Sequence, residues 1–430
     1  MTNDTYDASV DSPSPRGGSW SRRALGVGAA LLLAGGVAAP AAVALDPSAA
    51  AAVRQHDPAA RRGGLVSVTP VAGFDRAGVR GWLAERDMDT ASVRYGVQAY
   101  RLTYRTVDAY GQPTLATGLF TLPTAGAHRL GLVSDTHGTM VDRDYAPSVG
   151  DDFGRIPSYL NASAGFAVAA PDYLGLGRGP GLHPYMDTAS SVTASLDMLR
   201  AARQAAPGLG RALTGDVYAT GFSQGGQVAM ALGDALQRGA DRSLRLRALA
   251  PVSGPYDLSG VEIPALFDGR VNDTSGRFYT AYFLVAQNRL HPFYKDPGEV
   301  FRAPYADRVE SLFDGDHTEE DVAKGLPATV KELLTPEFYA RMAHPTGALK
   351  EAMEANDGAC AWKPDVPVRL YASSGDTDVP IGNARSCAAR LKGEGAVNVP
   401  VLDQGPVDHF GSFASAAPKV TTWFIAQARR

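Results

Sequence analysis

Short apolar runs that alternate with helical patterns constrain this chain more than any other feature. The runs are "RLGLVSDTHG", "GFAVAAPDY", "GDVYATG", "LRALAPVSG", "VPVRLYASSG" and "AVNVPVL". They lack a polar face and end on glycine or a polar residue, as strands covered on both sides do. Between them lie helical stretches. "DTASSVTASLDMLRAARQAA" carries Val192, Leu196 and Leu199 at helical spacing, and "SQGGQVAMALGDALQRG" carries Val228, Leu232 and Leu236. "GNARSCAARLKG" and "VTTWFIAQARR" are shorter examples. Strands alternating with helices predict an α/β domain built on a largely parallel sheet flanked by helices. Near its start, "VQAYRLTYRTV", the turn "YGQP" and "TLATGLFTLP" predict an antiparallel hairpin.

The rhythm breaks once. Residues 256–362 show helical patterns rich in aromatics and prolines, such as "RFYTAYFLVAQNRLHPFY", and no strand–helix alternation. A stretch of this length is too long for a loop and predicts a helical cap inserted before the sheet resumes. The expected organisation is therefore a core in two parts, 65–255 and 363–430, with the cap between them.

Residues 1–44 are not part of that body. Arg22-Arg23 precedes a Gly/Ala/Leu run, and Ala42-Val43-Ala44 offers a small-residue cleavage site. This is the layout of an export signal, of the twin-arginine type by its arginine pair. An uncleaved membrane anchor is the bland alternative, and the run is only mildly apolar for that role. Residues 45–64 read as a linker. Export puts the two cysteines, Cys360 and Cys387, in an oxidising place, where a pair tends to be bridged. The formal net charge is −4, with no basic stripe, so nothing marks a nucleic-acid partner.

One motif carries chemistry. In "VYATGFSQGGQVAMAL", an apolar run leads into Gly221-Phe222-Ser223-Gln224-Gly225 and then into a helical pattern. This is G-x-S-x-G between strand and helix, a strained turn that exposes the serine hydroxyl. A serine nucleophile needs a base, and in parallel-sheet hydrolases the order along the chain is serine, acid, histidine. Asp376, in "LYASSGDTDVP", follows an apolar run. His409 is the one histidine of the eight that lies beyond it. Asp378 is the competing acid; Asp403 and Asp408 sit too close to His409 in sequence. The amide of Gln224 is one expected donor to an oxyanion. The second comes from "THGT", from the Thr139 amide or that of Gly138.

These pieces resemble the α/β-hydrolase serine esterases and lipases, and most of all the group called secretory lipases. The matching stretches are "THGT", "APDYLGLGRGPGLHPYM", "GFSQGGQVAMAL", "SGDTDVP" and "DHFGSF". The resemblance implies an α/β-hydrolase fold with a helical cap, hydrolysis of carboxylic esters and no cofactor. It also implies Ser223, Asp376 and His409 as the triad, with "PDYLGLG" near the rim of the site. No metal-ligand spacing or phosphate loop is present. The expected partner is a small-molecule or lipid ester, and the oligomeric state stays open. An aminopeptidase-type acyl hydrolase and a non-catalytic binding protein are the rival functions. In the cap, Phe278, Tyr279, Tyr282, Phe283, Phe293 and Tyr294 either line a pocket or form the cap's own core.

Overall fold

Strands buried on both faces need helices above and below them, and the chain supplies both. The computed structural model describes residues 62–429, so the expected export signal and most of the linker lie outside the described residues. Among the described residues one sheet contains β1 (Leu65–Phe74), β2 (Val97–Val107), β3 (Pro113–Pro123), β4 (Arg129–Thr136), β5 (Ala167–Pro171), β6 (Ala212–Phe222), β7 (Arg245–Val252), β8 (Leu370–Ala372) and β9 (Val401–Asp403). Its spatial order is β1-β2-β3-β5-β4-β6-β7-β8-β9. The first three strands are antiparallel, and β3 meets β5 antiparallel. From β5 through β9 every pair is parallel. The largely parallel α/β sheet expected from the apolar runs is thus present, with the hairpin β2–β3 at its antiparallel end.

Two apolar layers cover the sheet. On one side lie α1 (Arg76–Ala84), α2 (Ile156–Ala164) and the C-terminal α12 (His409–Ala428). Their Val79, Leu83, Ile156, Tyr159, Phe413 and Phe424 share one buried cluster. On the other side lie α3 (Thr188–Gly208), α4 (Gln224–Gln237) and α11 (Gly382–Gly393), with Leu199, Met230, Leu236 and Leu391 in a second cluster. Aspartates start several of these helices. Asp75, Asp187 and Asp408 each accept a first-turn amide, which satisfies a donor the helix itself leaves unpaired.

Between β7 and β8 the chain leaves the sheet. It forms α5 (Ile263–Asp268), α6 (Asp273–Leu290), α7 (Glu319–Gly325), α8 (Val330–Leu333), α9 (Pro336–Ala343) and α10 (Gly347–Asp357), with short 3-10 turns. These helices bury a cluster of their own that includes Tyr282, Leu284, Phe313, Phe338 and Met353. Cys360, at the end of this helical insertion, is joined to Cys387 on α11, with the Cα atoms 5.3 Å apart.

Candidate active site

Ser223 sits where β6 ends and α4 begins, with φ 57° and ψ −126°. A non-glycine residue in this region is strained and persists only where its surroundings hold it. They do so here with backbone bonds: Ser223 N donates to Val252 O at 2.9 Å, and Gly226 N donates to Ser223 O at 2.8 Å. The flanking glycines are required by space. A Cβ at Gly221 would lie 2.3 Å from Gly225 O, and one at Gly225 would lie 1.9 Å from Thr136 O. The end of β4 therefore packs directly into the turn. The Thr136 hydroxyl locks it there, lying 2.9 Å from Thr220 O and 2.7 Å from Gly225 O.

Asp376 lies in the loop after β8, and His409 is the first residue of α12, which follows β9. His409 Nδ1 lies 2.7 Å from Asp376 Oδ2, and both side chains are buried. The other Asp376 oxygen accepts the amides of Asp378 and Val379, each at 2.9 Å, which fixes the carboxylate plane. With Asp376 accepting, Nδ1 carries the proton and Nε2 presents its lone pair. That Nε2 is buried without a hydrogen-bond partner among the described residues. The Phe222 ring, 4.4 Å from the imidazole between centroids, packs beside it. The other acids do different work. Asp378 accepts Asn272 Nδ2 at 2.6 Å, Asp408 caps α12, and Asp403 accepts the amides of Ser374 and Gly405.

The "THGT" loop follows β4 and passes over the serine. A Cβ at Gly138 would meet Ser223 Cβ and Phe222 O, each at 3.2 Å. Thr139 lines a cavity together with Ser223 and Gln224. His137 does not point to a reacting group: its Nδ1 is 2.7 Å from Gly138 O, and burial pushes its pKa down. Tyr173, in "PDYLGLG", donates its hydroxyl to His137 O at 3.1 Å, and its ring lies tilted at 40° to the His137 ring with centroids 4.3 Å apart. Asp172 pins that same loop by accepting the hydroxyls of Thr117 and Ser148.

One residue without a role in the sequence reading gains a position. His183 Nδ1 donates to Leu174 O at 2.9 Å, leaving Nε2 to accept Gln224 Nε2 at 3.3 Å. Burial pushes the His183 imidazole down to about 3, so it stays neutral at ordinary pH. It therefore holds the side chain of the residue that follows Ser223. Histidine type alone could have flagged it; its partner, 41 positions away, could not be read from spacing.

The cavity beside Ser223 encloses about 90 Å³. Helices of the insertion supply most of its wall, including Leu258, Ile263, Leu266, Phe283, Met342 and Met353. The six aromatics of the insertion divide between the two expected roles. Tyr279 and Phe283 line the cavity, whereas Tyr282 and Tyr294 are buried in the insertion's core, with Phe278 and Phe293 packed against it. Glu262 is a further wall residue that no motif announced. Burial, with the charge of Asp376 nearby, pushes its carboxyl up to about 8.

A serine at a strained strand–helix turn, on a mostly parallel sheet with a helical insertion before the acid strand, defines the α/β-hydrolase fold of esterases and lipases. Among the solved structures similar to this chain, three illustrate it. A Legionella pneumophila protein assigned as a hydrolase is 26% identical with a TM-score of 0.79, covering 85% of this chain and 98% of its own. The rice cell wall degrading esterase LipA of Xanthomonas oryzae is 29% identical with a TM-score of 0.74, over 85% and 98%. Candida antarctica lipase A, at 14% identity and a TM-score of 0.60 over 81% and 78%, shares the fold alone. No family model matches the chain, and no curated protein matches it. The first two neighbours place the chain among the hydrolases of this fold.

Proposed function

We propose that the protein is an exported serine hydrolase that cleaves carboxylic esters through an acyl-enzyme on Ser223. One observation carries this reading: Ser223, held at φ 57°, opens onto an apolar cavity shared with Gln224 and Thr139. The buried Asp376–His409 pair supplies what such a serine requires.

In this reading His409 Nε2 takes the Ser223 proton as the hydroxyl oxygen attacks the ester carbonyl. Asp376 keeps the proton on Nδ1 and stabilises the imidazolium. The carbonyl oxygen becomes an oxyanion, which the Gln224 and Thr139 amides receive; a lost donor of this kind costs about 3 kcal/mol of transition-state stabilisation. Thr139 is preferred over Gly138 because Thr139 reaches the cavity. Collapse expels the alcohol with the proton from His409, and water then cleaves the acyl-enzyme by the same route. The Cys360–Cys387 bridge and the signal-like residues 1–44 support export by the twin-arginine route.

Reaction with a fluorophosphonate probe tests the nucleophile. Wild-type protein is labelled on Ser223 and Ser223→Ala is not. A folded wild-type protein that resists the probe, and hydrolyses no p-nitrophenyl ester, removes the proposal.

A further inference from the structure

Charge of one sign lines the cavity beside Ser223. Among the described residues its wall holds two carboxyl groups, Glu262 and Asp378, and no lysine, arginine or histidine. An amide holds each carboxyl from behind: Asn383 Nδ2 donates to Glu262 Oε1 at 2.6 Å, and Asn272 Nδ2 donates to Asp378 Oδ1 at 2.6 Å. Oriented this way, each carboxyl keeps one oxygen without a hydrogen-bond partner among the described residues. Gln224 also lines the cavity, and its buried Oε1 has no partner among the described residues. Tyr185, Tyr279 and Phe283 contribute aromatic rings, and most of the remainder is aliphatic.

Carboxyl groups in an apolar cavity are costly to ionise unless a counter-charge joins them. The protein supplies none within the wall. Arg270, the nearby cation that acts on Glu262, is paired with Asp268 at 2.7 Å. A substituted ammonium group would bring the missing positive charge without needing a hydrogen bond, and aromatic rings favour such a cation further.

We propose that this cavity selects esters whose lodged portion carries an ammonium group on an otherwise apolar chain, with Glu262 and Asp378 as the determinants of that choice. The inference rests on Ser223 being the nucleophile that opens onto this cavity. It also predicts a pH signature. Glu262 ionises around pH 8 in the free cavity, so the preference for a cation grows as pH rises through that value. Asp376, Asp378, Arg270 and Tyr185 are the other titratable groups acting on or affected by Glu262. Asp376 stays committed to His409.

The experiment compares two p-nitrophenyl esters of equal length, one ending in trimethylammonium and the other in the isosteric tert-butyl group. The ratio of their kcat/KM values cancels the state of His409, which acts on both alike. The cationic ester is expected to lead by about tenfold at pH 8.5, equivalent to about 1.4 kcal/mol. The lead shrinks several-fold by pH 6.5, and Glu262→Gln or Asp378→Asn erodes it. Competitive inhibition of wild-type protein by a tetraalkylammonium ion, set against a neutral alcohol of equal size, reads the same preference without a variant. If both esters are hydrolysed at equal rates at every pH while Ser223 takes up the fluorophosphonate, the charge selection is wrong and the hydrolase reading stands. A ratio that survives both substitutions overturns the two determinants. Failure of labelling overturns both readings together.

Discussion

Replacing Gly225 by alanine tests how tightly the turn at Ser223 and the "THGT" loop are coupled. The new Cβ would stand 1.9 Å from Thr136 O, 2.4 Å from Thr136 C and 2.6 Å from His137 O. These are backbone atoms, which cannot rotate aside. Thr136 must withdraw by about 1 Å before the contact reaches the 3.0 Å below which real Cβ atoms essentially never approach. Thr136 leads directly into His137, Gly138 and Thr139, so the shift passes to the proposed oxyanion donor. Misplacement of about 1 Å costs about 10²-fold in rate. Overpacking adds about 1–3 kcal/mol of destabilisation, or about 1–4 °C in Tm for a body of this size. Gly81→Ala is the control: it lies in α1 with nothing within 4 Å of the added Cβ, and should leave turnover unchanged and Tm equal or higher. The assays are p-nitrophenyl ester turnover and thermal unfolding. A Gly225→Ala protein with turnover within threefold of wild type and an unchanged Tm would falsify the coupling.

Three further outcomes are expected. Reduction of Cys360–Cys387, which closes a loop of 27 residues, should remove about 3.5 kcal/mol and lower Tm by about 5 °C; two free thiols in unreduced, denatured protein would end this idea. Asp135 is buried and its carboxyl is pushed up to about 7 by desolvation, opposed by Ser158. Its folded form keeps a proton that the unfolded chain releases above about pH 4, so its contribution to stability falls as pH rises from about 4 to 7 and is then flat. Asp135→Asn should remove that decline, by a few kcal/mol at most, in urea unfolding at pH 5 and pH 8; an identical pH slope in both proteins refutes the assignment. His183→Ala frees the Gln224 side chain and should lower kcat by about tenfold with a smaller change in KM. An effect confined to KM counts against a positioning role.

The parallel strands were legible because burial on both faces writes a continuous apolar run, as in β4, β6 and β7. Where burial follows no such rule, the pattern fades. β1 exposes much of its length at the sheet's edge and carries Pro70, so its residues show no continuous apolar run. α2 is missed for the opposite reason. Eight of its nine residues are buried, Ser158, Asn161 and Ser163 among them, so it has no polar face to give a helical period. The order Ser223, Asp376, His409 could be proposed from the sequence because sheet topology favours it, and the structure joins its last two members. Glu262 and His183 could not. Glu262 is held by Asn383 and His183 holds Gln224, partners that only the folded chain brings near.

The exit and return of the helical insertion share one small patch of sheet. Val252 pairs with Tyr371, Leu249 bridges Val368, and Ser253 N donates to Tyr371 O at 2.8 Å. The two core segments are therefore stitched together beneath the insertion, whatever its length. Substitutions that reshape Leu266, Phe283 or Met342 change the cavity wall and leave the strand register, the turn at Ser223 and the Asp376–His409 pair alone. A library confined to the insertion can thus vary the Glu262 side of the cavity with the core held fixed, whereas Asp378, two residues from Asp376, ties the other side to the core loop itself.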